Sequence, residues 1–549
     1  MNKEITERYN IWIDKVKDET IRKELLEYKG NDKAIEDSFF KELSFGTGGL
    51  RGKIGAGTNR MNIYTVGRAT FGLADYILKN TDNYSVAIAY DSRIMSKEFA
   101  FHAADILSSK GIDVYIFGEL MPTPVLSYTV RKLGTGAGIV ITASHNPKEY
   151  NGYKVYNDKG CQITDKAASE ILSNIESADY FANVQADKEK IHILGEEILD
   201  DFLNEIKRYS LNDCVRDCGI KVVYTPLHGT GNKPVRKLLK GMGIDVVVVK
   251  EQELPDGNFT TCPYPNPEER EAMGLAIEYA KKENADLVLA TDPDADRIGI
   301  GVKDGNKEYR LLSGNETGVI LMDYMLSQKA KQNNAGKAHT VIKTIVSTDM
   351  AFDIAKDYKG TVKEVLTGFK YIGEELDRTD NFVMGFEESY GYLVGRHARD
   401  KDAVSAAMMI VEAVAYYKKQ GKSLIDVLTE LYKKYGYYKN ELVSVKYEGQ
   451  QGMATMKEIT DNIRKNPLGE ICGEKVEFTD FSVGISGLPK SNVLRFRNDN
   501  TRVIVRPSGT EPKLKIYYQV KGNSEQEANE MLDGLKEFCS EKIFNVNKL

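Results

Sequence analysis

The spacing of apolar residues along the 549-residue chain changes several times, and each change marks a predicted element. In residues 3–29 the apolar positions, among them Val16 and Ile21, follow a spacing closer to helical than alternating, and Gly30 suits a helix end. After Gly30, short aliphatic runs such as SVAIAY and IDVYIF alternate with helical stretches such as KEFAFHAADILSSK. This alternation is typical of βαβ units, in which helices cover a parallel sheet.

The alternation restarts twice further along the chain. A charged stretch at residues 191–210, which we predict to be helical, precedes a second round with the strands KVVYTP, IDVVVVK and DLVLAT. A third round begins with the helical NETGVILMDYMLSQKAK and the strand HTVIKTIVS. From about residue 441 strands predominate, and the closing SEQEANEMLDGLKEFCSEKI has the pattern of an amphipathic helix.

The predicted fold class is therefore α/β, with three similar α/β domains that contain mixed sheets and a smaller C-terminal α+β domain. The length agrees, since one domain usually spans about 100 to 200 residues. The predicted segments are a helical extension at 1–40, domain I at 41–205, domain II at 206–312, domain III at 313–440 and domain IV at 441–549.

Composition limits the classes of function. The chain has 75 Lys plus Arg against 81 Asp plus Glu, a net charge of −6, so a protein whose main task is neutralising nucleic-acid phosphates is not expected. No signal segment and no membrane-spanning run are predicted. The six cysteines are sparse and lack zinc-site spacing, which favours reduced thiols. We expect a cytoplasmic protein, monomeric or homodimeric, that binds neither nucleic acid nor membrane.

Two loops after apolar strands carry candidate catalytic chemistry. In AGIVITASHNPKEYNGYKVY, a strand ending near Thr142 delivers Ser144 and His145 into a turn, although the serine also suits a plain helix cap. In LVLATDPDADRIGIGV, three carboxylates alternate between two strands, an arrangement that a divalent cation would neutralise and that suits Mg²⁺ better than zinc. A solvated acidic turn is the alternative.

Two further loops have the chemistry of ligand recognition. In VMGFEESYGYLVGRHARDKDAV, Glu387 and Ser389 offer hydrogen bonds to sugar hydroxyls. In TRVIVRPSGTEPKLKIYY, Arg506, hydroxyls and accessible backbone N–H groups form a phosphate cradle. The glycine-rich stretch around Arg51 matches neither the P-loop nor the dinucleotide fingerprint. Each loop taken alone also fits an ordinary surface turn.

Together the four loops resemble the active site of the α-D-phosphohexomutase family, which contains the phosphoglucomutases and phosphomannomutases. TASHNPKEYNGYKVY resembles the family's phosphoserine loop, DPDADR its magnesium loop, GFEESYG its sugar-specificity loop and RPSGTEPK its phosphate-binding loop. The motifs stand in the family's order, one in each predicted domain, and the resemblance leaves only the first 40 or so residues aside. It implies a heart-shaped arrangement of four domains around a central cleft.

The resemblance also implies residue roles and cofactors. Ser144 would carry the phosphoryl group and, with the three aspartates, hold Mg²⁺, and Lys154 is the first candidate for acid–base chemistry. Glucose 1,6-bisphosphate would be the activator, and sugar phosphates the small-molecule partners. The implied catalytic residues are Ser144, His145, Lys154, Arg51 and Arg297; the metal ligands are Ser144, Asp292, Asp294 and Asp296; the substrate-binding residues are His228, Lys370, Glu387, Ser389, Arg506, Ser508, Gly509 and Thr510.

Within the family, Pro293 stands where many members have Gly. This departure, GFEESYG and the long extension resemble the branch that acts on glucose phosphates and, in some members, on pentose phosphates. The implied reaction is the interconversion of glucose 1-phosphate and glucose 6-phosphate through a phosphoserine enzyme. Alternatives are a phosphopentomutase that acts on ribose or deoxyribose phosphates, a phosphomannomutase, a phosphatase and a non-catalytic sugar-phosphate sensor.

Overall fold

The computed structural model describes residues 2–46, 48–216, 218–305, 308–332, 338–447, 449–485, 487–508 and 513–544. Within these ranges the chain forms four α/β domains in sequence, preceded by a helical extension. None of the helices in the described ranges combines the length and the apolar character that crossing a bilayer requires.

The extension consists of three short helices, α1 (Lys3–Lys15), α2 (Glu19–Glu27) and α3 (Asp32–Phe39). The helical run predicted over residues 3–29 is thus broken in two. The break lies where the Asp18 side chain accepts a hydrogen bond from the Ile21 N–H and starts α2 as its N-cap.

The first domain has a six-stranded mixed sheet with the order β1-β5-β4-β2-β3-β6, in which β5 is antiparallel to β4 and β1. Residues 191–194, which we predicted as helical, instead form β6, a parallel edge strand beside β3. Only two of its four residues are partly buried, so the sequence there lacks the pattern of apolar residues that usually indicates a strand. The elements are β1 (Leu50–Lys53), α4 (Ile63–Asn80), β2 (Ser85–Tyr90), α5 (Ser96–Ser109), β3 (Asp113–Phe117), α6 (Thr123–Leu133), β4 (Ala137–Ile141), β5 (Tyr150–Asn157), α7 (Asp165–Ser177), β6 (Ile191–Leu194) and α8 (Glu196–Lys207).

The second and third domains are built from smaller mixed sheets, with the orders β11-β10-β9-β7-β8 and β13-β12-β14-β15. The second contains β7 (Val222–Thr225), α9 (Asn232–Gly241), β8 (Val246–Val248), α10 (Lys250–Glu253), α11 (Arg270–Glu283), β9 (Leu287–Thr291), β10 (Ile298–Lys303) and β11 (Tyr309–Leu312). The third contains α12 (Gly314–Lys331), β12 (Thr340–Thr344), α13 (Met350–Asp357), β13 (Thr361–Val365), α14 (Phe369–Leu376), β14 (Phe382–Glu387), β15 (Gly391–Val394), α15 (Ala403–Lys418) and α16 (Leu424–Tyr435).

The fourth domain has a fully antiparallel sheet with the order β16-β22-β21-β20-β19 and a separate two-stranded sheet. Its elements are β16 (Tyr437–Lys446), α17 (Gly449–Lys465), β17 (Glu470–Ile471), β18 (Glu474–Lys475), β19 (Glu477–Asp480), β20 (Leu494–Arg497), β21 (Thr501–Pro507), β22 (Lys513–Gly522) and α18 (Glu525–Cys539). The predicted fold class, three mixed-sheet domains followed by a smaller C-terminal domain, is confirmed.

The four candidate loops occupy the same place in their domains. Each connects a buried strand to its antiparallel neighbour, in the pairs β4–β5, β9–β10, β14–β15 and β21–β22. The five residues of β4 and the five of β9 are all buried, so both strands are held on two faces. A rigid strand on either side fixes the direction in which each loop leaves its sheet.

Candidate active site

Ser144 lies at the centre of the candidate site, in the turn that follows β4. Its side chain is buried, and its φ of 53° is left-handed, a conformation that costs a non-glycine residue free energy. The backbone N–H of Ser144 donates to Oγ1 of Thr142 at 2.8 Å, which helps to hold this turn. As a result, Oγ of Ser144 lies 2.7 Å from Oδ2 of Asp292 and 3.2 Å from Nδ1 of His145.

The acidic loop between β9 and β10 folds around its first carboxylate. Oδ1 of Asp292 accepts the backbone N–H groups of Asp296 at 3.1 Å and Arg297 at 3.0 Å. These bonds bring Asp292, Asp294 and Asp296 together, with one carboxylate oxygen of each within 4.8 Å of the others. All three are buried, and burial together with the charges of Asp294 and Asp296 holds the pKa of Asp292 well above its ordinary value.

Two lysines supply positive charge to this triad. Nζ of Lys154 lies 2.8 Å from Oδ2 of Asp294 and 3.4 Å from Oδ2 of Asp296, and Nζ of Lys401 lies 3.1 Å from the latter oxygen. Burial disfavours the charged form of Lys154, but Asp294 and Asp296 raise its pKa above the ordinary value. Burial likewise disfavours the charged form of Asp294, but Lys154 holds its pKa below the usual range.

The triad suits a hard divalent cation. All the donor atoms are oxygens, which such ions prefer. Among the residues that the structure describes, Oδ1 of Asp294 and Oδ1 of Asp296 are buried without a hydrogen-bond partner, a costly situation that a bound cation would relieve. The hydroxyl of Ser144, bonded to Asp292, lies at the edge of the same cluster.

A cleft of about 630 Å³ receives residues from all four domains. The first and second domains contribute Arg51, His145 and Arg297. Burial, together with the nearby charges of Arg297 and Arg51, holds the pKa of His145 well below its ordinary value. Nη1 of Arg297 is itself paired with Glu268 at 2.5 Å. The cleft therefore adjoins Ser144 through its neighbour His145.

The third domain contributes Glu387, at the end of β14, and Ser389 in the turn that follows. Burial raises the pKa of Glu387 although Lys401 opposes this effect. The adjacent Glu388 also lines the cleft, and burial together with the charge of Glu387 raises its pKa to about 7. This part of the cleft therefore presents carboxyl and hydroxyl groups that can form hydrogen bonds with sugar hydroxyls.

The fourth domain contributes a positively charged cluster. Arg506 on β21 stands opposite Lys515 on β22, and both line the cleft together with Lys513. Burial and the like charges of Arg506 and Lys513 lower the pKa of Lys515. The N–H of Ser508 donates to the carbonyl of Lys513 at 2.8 Å and closes the base of the loop. The predicted ligands Gly509 and Thr510 lie outside the described residues.

Three predicted substrate ligands in the described ranges, His228, Lys370 and Ser508, are not part of the cleft lining. Both ring nitrogens of His228 have partners in the second domain, with Nδ1 3.0 Å from the carbonyl of Leu254 and Nε2 2.8 Å from Oγ1 of Thr261. Nζ of Lys370 lies 3.4 Å from Oδ1 of Asp165 in the first domain. The remaining predicted residues in the described ranges either line the cleft or belong to the Ser144 and aspartate cluster that adjoins it.

Three residues that contact the loop of Ser144 or the aspartate triad were missed in the sequence. Lys401 follows β15 in the segment RDKDA, and its charge between two aspartates was the available signal. Oγ1 of Thr123, the first residue of α6, donates to Oδ2 of Asp294 at 2.8 Å, and no local pattern indicates this contact. Arg93, which follows β2, donates to the carbonyls of the loop that carries Ser144.

Comparison with protein families accounts for most of the chain. Four models of the phosphoglucomutase/phosphomannomutase family match in order: alpha/beta/alpha domain I at residues 42–181, alpha/beta/alpha domain II at 200–305, alpha/beta/alpha domain III at 313–435 and the C-terminal domain at 442–537. The helical extension precedes the first matched residue.

Curated relatives match along nearly their whole length. The chain is 39% identical to a phosphoglucomutase of Staphylococcus haemolyticus over 504 residues, which cover 88% of this chain and 91% of the relative. It is 36% identical to a phosphoglucomutase of Staphylococcus aureus over 532 residues, which cover 93% of this chain and 95% of the relative.

Solved structures share the fold at low sequence identity. The open form of an exocytosis-sensitive phosphoprotein of Paramecium, a phosphoglucomutase, superposes with a TM-score of 0.71 at 15% identity, covering 92% of this chain and 96% of that one. A phosphoglucomutase/phosphomannomutase family protein of Burkholderia thailandensis gives a TM-score of 0.68 at 18% identity, covering 92% and 97%. With four family models in order and relatives of more than one-third identity, this chain belongs to the phosphoglucomutase/phosphomannomutase family.

Proposed function

We propose that this protein is a phosphoglucomutase, an isomerase that interconverts glucose 1-phosphate and glucose 6-phosphate through a phosphorylated Ser144. The observation that carries the proposal is the position of Ser144 Oγ, 2.7 Å from a buried aspartate triad and beside a cleft that all four domains line. The curated relatives at 39% and 36% identity are themselves named phosphoglucomutase, which supports the choice of glucose phosphates.

The reaction begins with phosphoserine 144 and a sugar monophosphate in the cleft. A free sugar hydroxyl attacks the phosphorus, the bond from phosphorus to Oγ of Ser144 breaks, and glucose 1,6-bisphosphate remains bound. In the net transfer the proton of the sugar hydroxyl ends on Oγ. After the bisphosphate turns around, Oγ of Ser144 attacks the phosphorus of the other phosphate, the bond from that phosphorus to the sugar oxygen breaks, and the isomer leaves with a proton on that oxygen. Nδ1 of His145, 3.2 Å from Oγ, is near enough to take the serine proton in this second transfer.

Lys154 provides a fixed positive charge beside the transfer. Its pairing with Asp294 and Asp296 favours the ammonium form, which suits electrostatic stabilisation and proton donation better than proton abstraction. Arg51 and Arg297, which line the cleft next to His145, add further positive charge. Most of the rate enhancement would then come from positioning and charge, as is usual for phosphoryl transfer.

Asp292, Asp294 and Asp296, with an oxygen of phosphorylated Ser144, would hold Mg²⁺. When bound, the ion would offset charge on the transferring phosphoryl group. The unsatisfied carboxylate oxygens of Asp294 and Asp296 support this assignment among the described residues.

Other residues that line or adjoin the cleft would hold the rest of the substrate. Glu387 and Ser389 would bind sugar hydroxyls, and Arg506 with the Ser508–Thr510 loop would hold the phosphate that is not being transferred. The neighbouring charges of Lys513 and Lys515 support a phosphate site in this part of the cleft. For His228 and Lys370 the support is weaker, because their polar atoms have partners within the protein.

The direct test is the Ser144→Ala variant in a coupled assay that converts glucose 1-phosphate to glucose 6-phosphate, with glucose 1,6-bisphosphate present. We expect kcat to fall by at least about 1000-fold, because no nucleophile remains to carry the phosphoryl group. Ser169→Ala, on an exposed position of α7 in the same domain, is the matched control and should keep wild-type activity. Full activity in Ser144→Ala would overturn the mechanism.

Two measurements separate the remaining alternatives. Turnover of glucose 1-phosphate should exceed that of ribose, deoxyribose and mannose 1-phosphates, and a strong preference for deoxyribose 1-phosphate would instead indicate a phosphopentomutase. Release of inorganic phosphate without isomer would indicate a phosphatase, and binding without either product a sensor.

A further inference from the structure

Arg93 is a buried cation that belongs to none of the four candidate loops. It follows β2, and its side chain has no exposed area. Burying an arginine is costly unless its donors are used, since the guanidinium group carries five N–H groups in a fixed planar fork. The partners of this fork therefore indicate what the residue does.

The fork donates to four backbone carbonyls of one loop, the loop that carries Ser144. Nη2 donates to the carbonyls of Ser144 and Asn146. Nη1 donates to the carbonyls of Pro147 at 2.9 Å and Tyr150 at 3.2 Å. One side chain thus ties together both ends of the segment between the nucleophile and the start of β5.

Two neighbours fix the guanidinium group itself. Oδ2 of Asp91 lies 3.3 Å from Nε of Arg93, while Oδ1 of Asp91 accepts the backbone N–H of Arg93 at 2.9 Å and the hydroxyl of Ser96 at 2.6 Å. On the other side, the guanidinium carbon lies 4.9 Å from the ring centre of Phe259, which belongs to the second domain. The guanidinium group of Arg93 therefore lies between the carboxylate of Asp91 and the ring of Phe259, which together hold it in place.

We propose that Arg93 is a positioning residue that holds the loop of Ser144 in the conformation required for phosphoryl transfer. Ser144 has a left-handed backbone, and the bond from Arg93 to its carbonyl opposes relaxation of that strained turn. A lysine would keep the charge, but its single ammonium group cannot reproduce a planar fork across four carbonyls. The inference rests on the proposed function of Ser144.

The experiment compares Arg93→Lys with Arg68→Lys. Arg68 is a matched control in the same domain, because it is also buried and has the same kinds of partner. It donates to the carbonyls of Glu176 and Ala178, pairs with the carboxylate of Glu42 and stacks on the ring of Tyr180. The readouts are the rate at which glucose 1,6-bisphosphate phosphorylates Ser144, followed by intact mass, and the separate values of kcat and KM.

For Arg93→Lys we expect the rate of Ser144 phosphorylation and kcat to fall by about 100-fold, because a displacement of the nucleophile by about 1 Å has an effect of this size. The KM for glucose 1-phosphate should change little. Arg68→Lys should lose a similar amount of thermal stability but keep the wild-type phosphorylation rate. In Arg93→Ala, added guanidinium ion at millimolar concentration should restore part of the lost rate, which a merely structural role would not predict.

A wild-type rate of Ser144 phosphorylation in Arg93→Lys would overturn the inference. If Arg93→Lys does not fold, the Asp91→Asn variant is tested in its place. This variant keeps the oxygen that accepts the backbone N–H of Arg93 but removes the negative charge that faces Nε. A wild-type rate of Ser144 phosphorylation in Asp91→Asn would also overturn the inference. Failure of the wild-type protein itself to become phosphorylated would count against the proposed function instead.

Discussion

At the scale of single residues, the acidic triad is energetically unfavourable by itself, because it buries three carboxylates close together. Asp292, Asp294 and Asp296 are buried together and face the two ammonium groups of Lys154 and Lys401. Like charges at this distance repel strongly in a medium of low dielectric constant. A divalent cation shared by the three carboxylates would offset their mutual repulsion and pair with their unsatisfied oxygens, so cation binding should stabilise the folded state.

We therefore predict that MgCl₂ raises the thermal unfolding midpoint of the wild-type protein and has a much smaller effect on Asp294→Asn. A ligand at 100 times its dissociation constant stabilises the folded state by about 2.7 kcal/mol when it binds only that state. Differential scanning calorimetry with EDTA or MgCl₂ measures the shift. Asp245→Asn, an exposed position of the second domain, is the control and should respond like the wild type. An equal shift in Asp294→Asn would exclude the triad as the stabilising site.

At the scale of elements, the N-terminal extension shows how weak helices become stable by packing. Its three helices are 13, 9 and 8 residues long, each capped by an Asn or Asp side chain. Helices of this length are marginal in water by themselves. Trp12 of α1 packs edge to face against Phe39 of α3 and against Tyr64, Tyr180 and Phe181 of the first domain. The extension is thereby part of the first domain's surface packing.

We predict that Phe39→Ala undocks the extension before the rest of the protein unfolds. Phe39 is fully buried, and truncating such a side chain costs about 3–5 kcal/mol. Trp12 is the sole tryptophan of the chain, so its fluorescence reports on the packing of the extension against the first domain. Its emission should shift to longer wavelength at a lower urea concentration in Phe39→Ala than in the wild type.

The adjacent Phe40→Ala variant is the control for this prediction. Phe40 is 49% exposed, so its removal should leave the fluorescence transition near that of the wild type. Coincident transitions in Phe39→Ala and the wild type would show that the aromatic cluster does not hold the extension in place.

At the scale of the whole molecule, a buried ionic network joins the third and fourth domains. Nζ of Lys343, on a fully buried side chain, lies 3.1 Å from Oδ1 of Asp349 and 2.6 Å from Oε1 of Glu364. Arg502 of β21 donates to the same oxygen of Asp349 and, at 2.6 Å, to the carbonyl of Ser347. Since Arg506 lies on the same strand, this network fixes the strand that carries Arg506 against the third domain.

We predict that Asp349→Ala destabilises the protein by about 3–5 kcal/mol, because it leaves Lys343 and Arg502 buried with too little negative charge. Urea unfolding at pH 7 measures the loss. Asp461→Ala removes a surface ion pair of the same domain as Arg502 and should cost no more than about 1 kcal/mol. Equal costs for the two variants would contradict a stabilising role for the network.

The stabilisation by Asp349 should also depend on pH. Burial disfavours its ionised form, but Lys343 and Arg502 hold the pKa of Asp349 well below its ordinary value. A carboxyl group whose pKa is lower in the folded than in the unfolded protein stabilises the fold fully at any pH above its unfolded-state pKa, which is about 4 for Asp. This stabilisation is lost as the pH falls through the folded-state pKa. The difference in stability between wild type and Asp349→Ala should therefore be constant from pH 8 to about 5 and shrink below about pH 4.

Much of this molecule follows from local sequence. Fully buried strands such as β4 and β9 are continuous apolar runs, and the polar motif that follows each run marks where a sheet ends and a loop begins. Ser144, the aspartate triad, Glu387 and Arg506 were identified in this way. The edge strand β6 was missed, because a half-exposed strand of four residues beside a helix has little pattern of its own.

The chain by itself thus determined which chemical groups stand at the ends of strands, because the spacing of apolar residues and the chemistry of each loop are properties of neighbours in sequence. Only the tertiary structure decided which of these groups meet. Ser144 and Asp292 are 148 positions apart yet hydrogen-bonded, and Lys401 reaches Asp296 from another domain. Contacts of this kind depend on the register and packing of whole domains, which no short stretch of sequence encodes. For the same reason, only the folded chain reveals that Arg93 donates hydrogen bonds to the loop that carries Ser144.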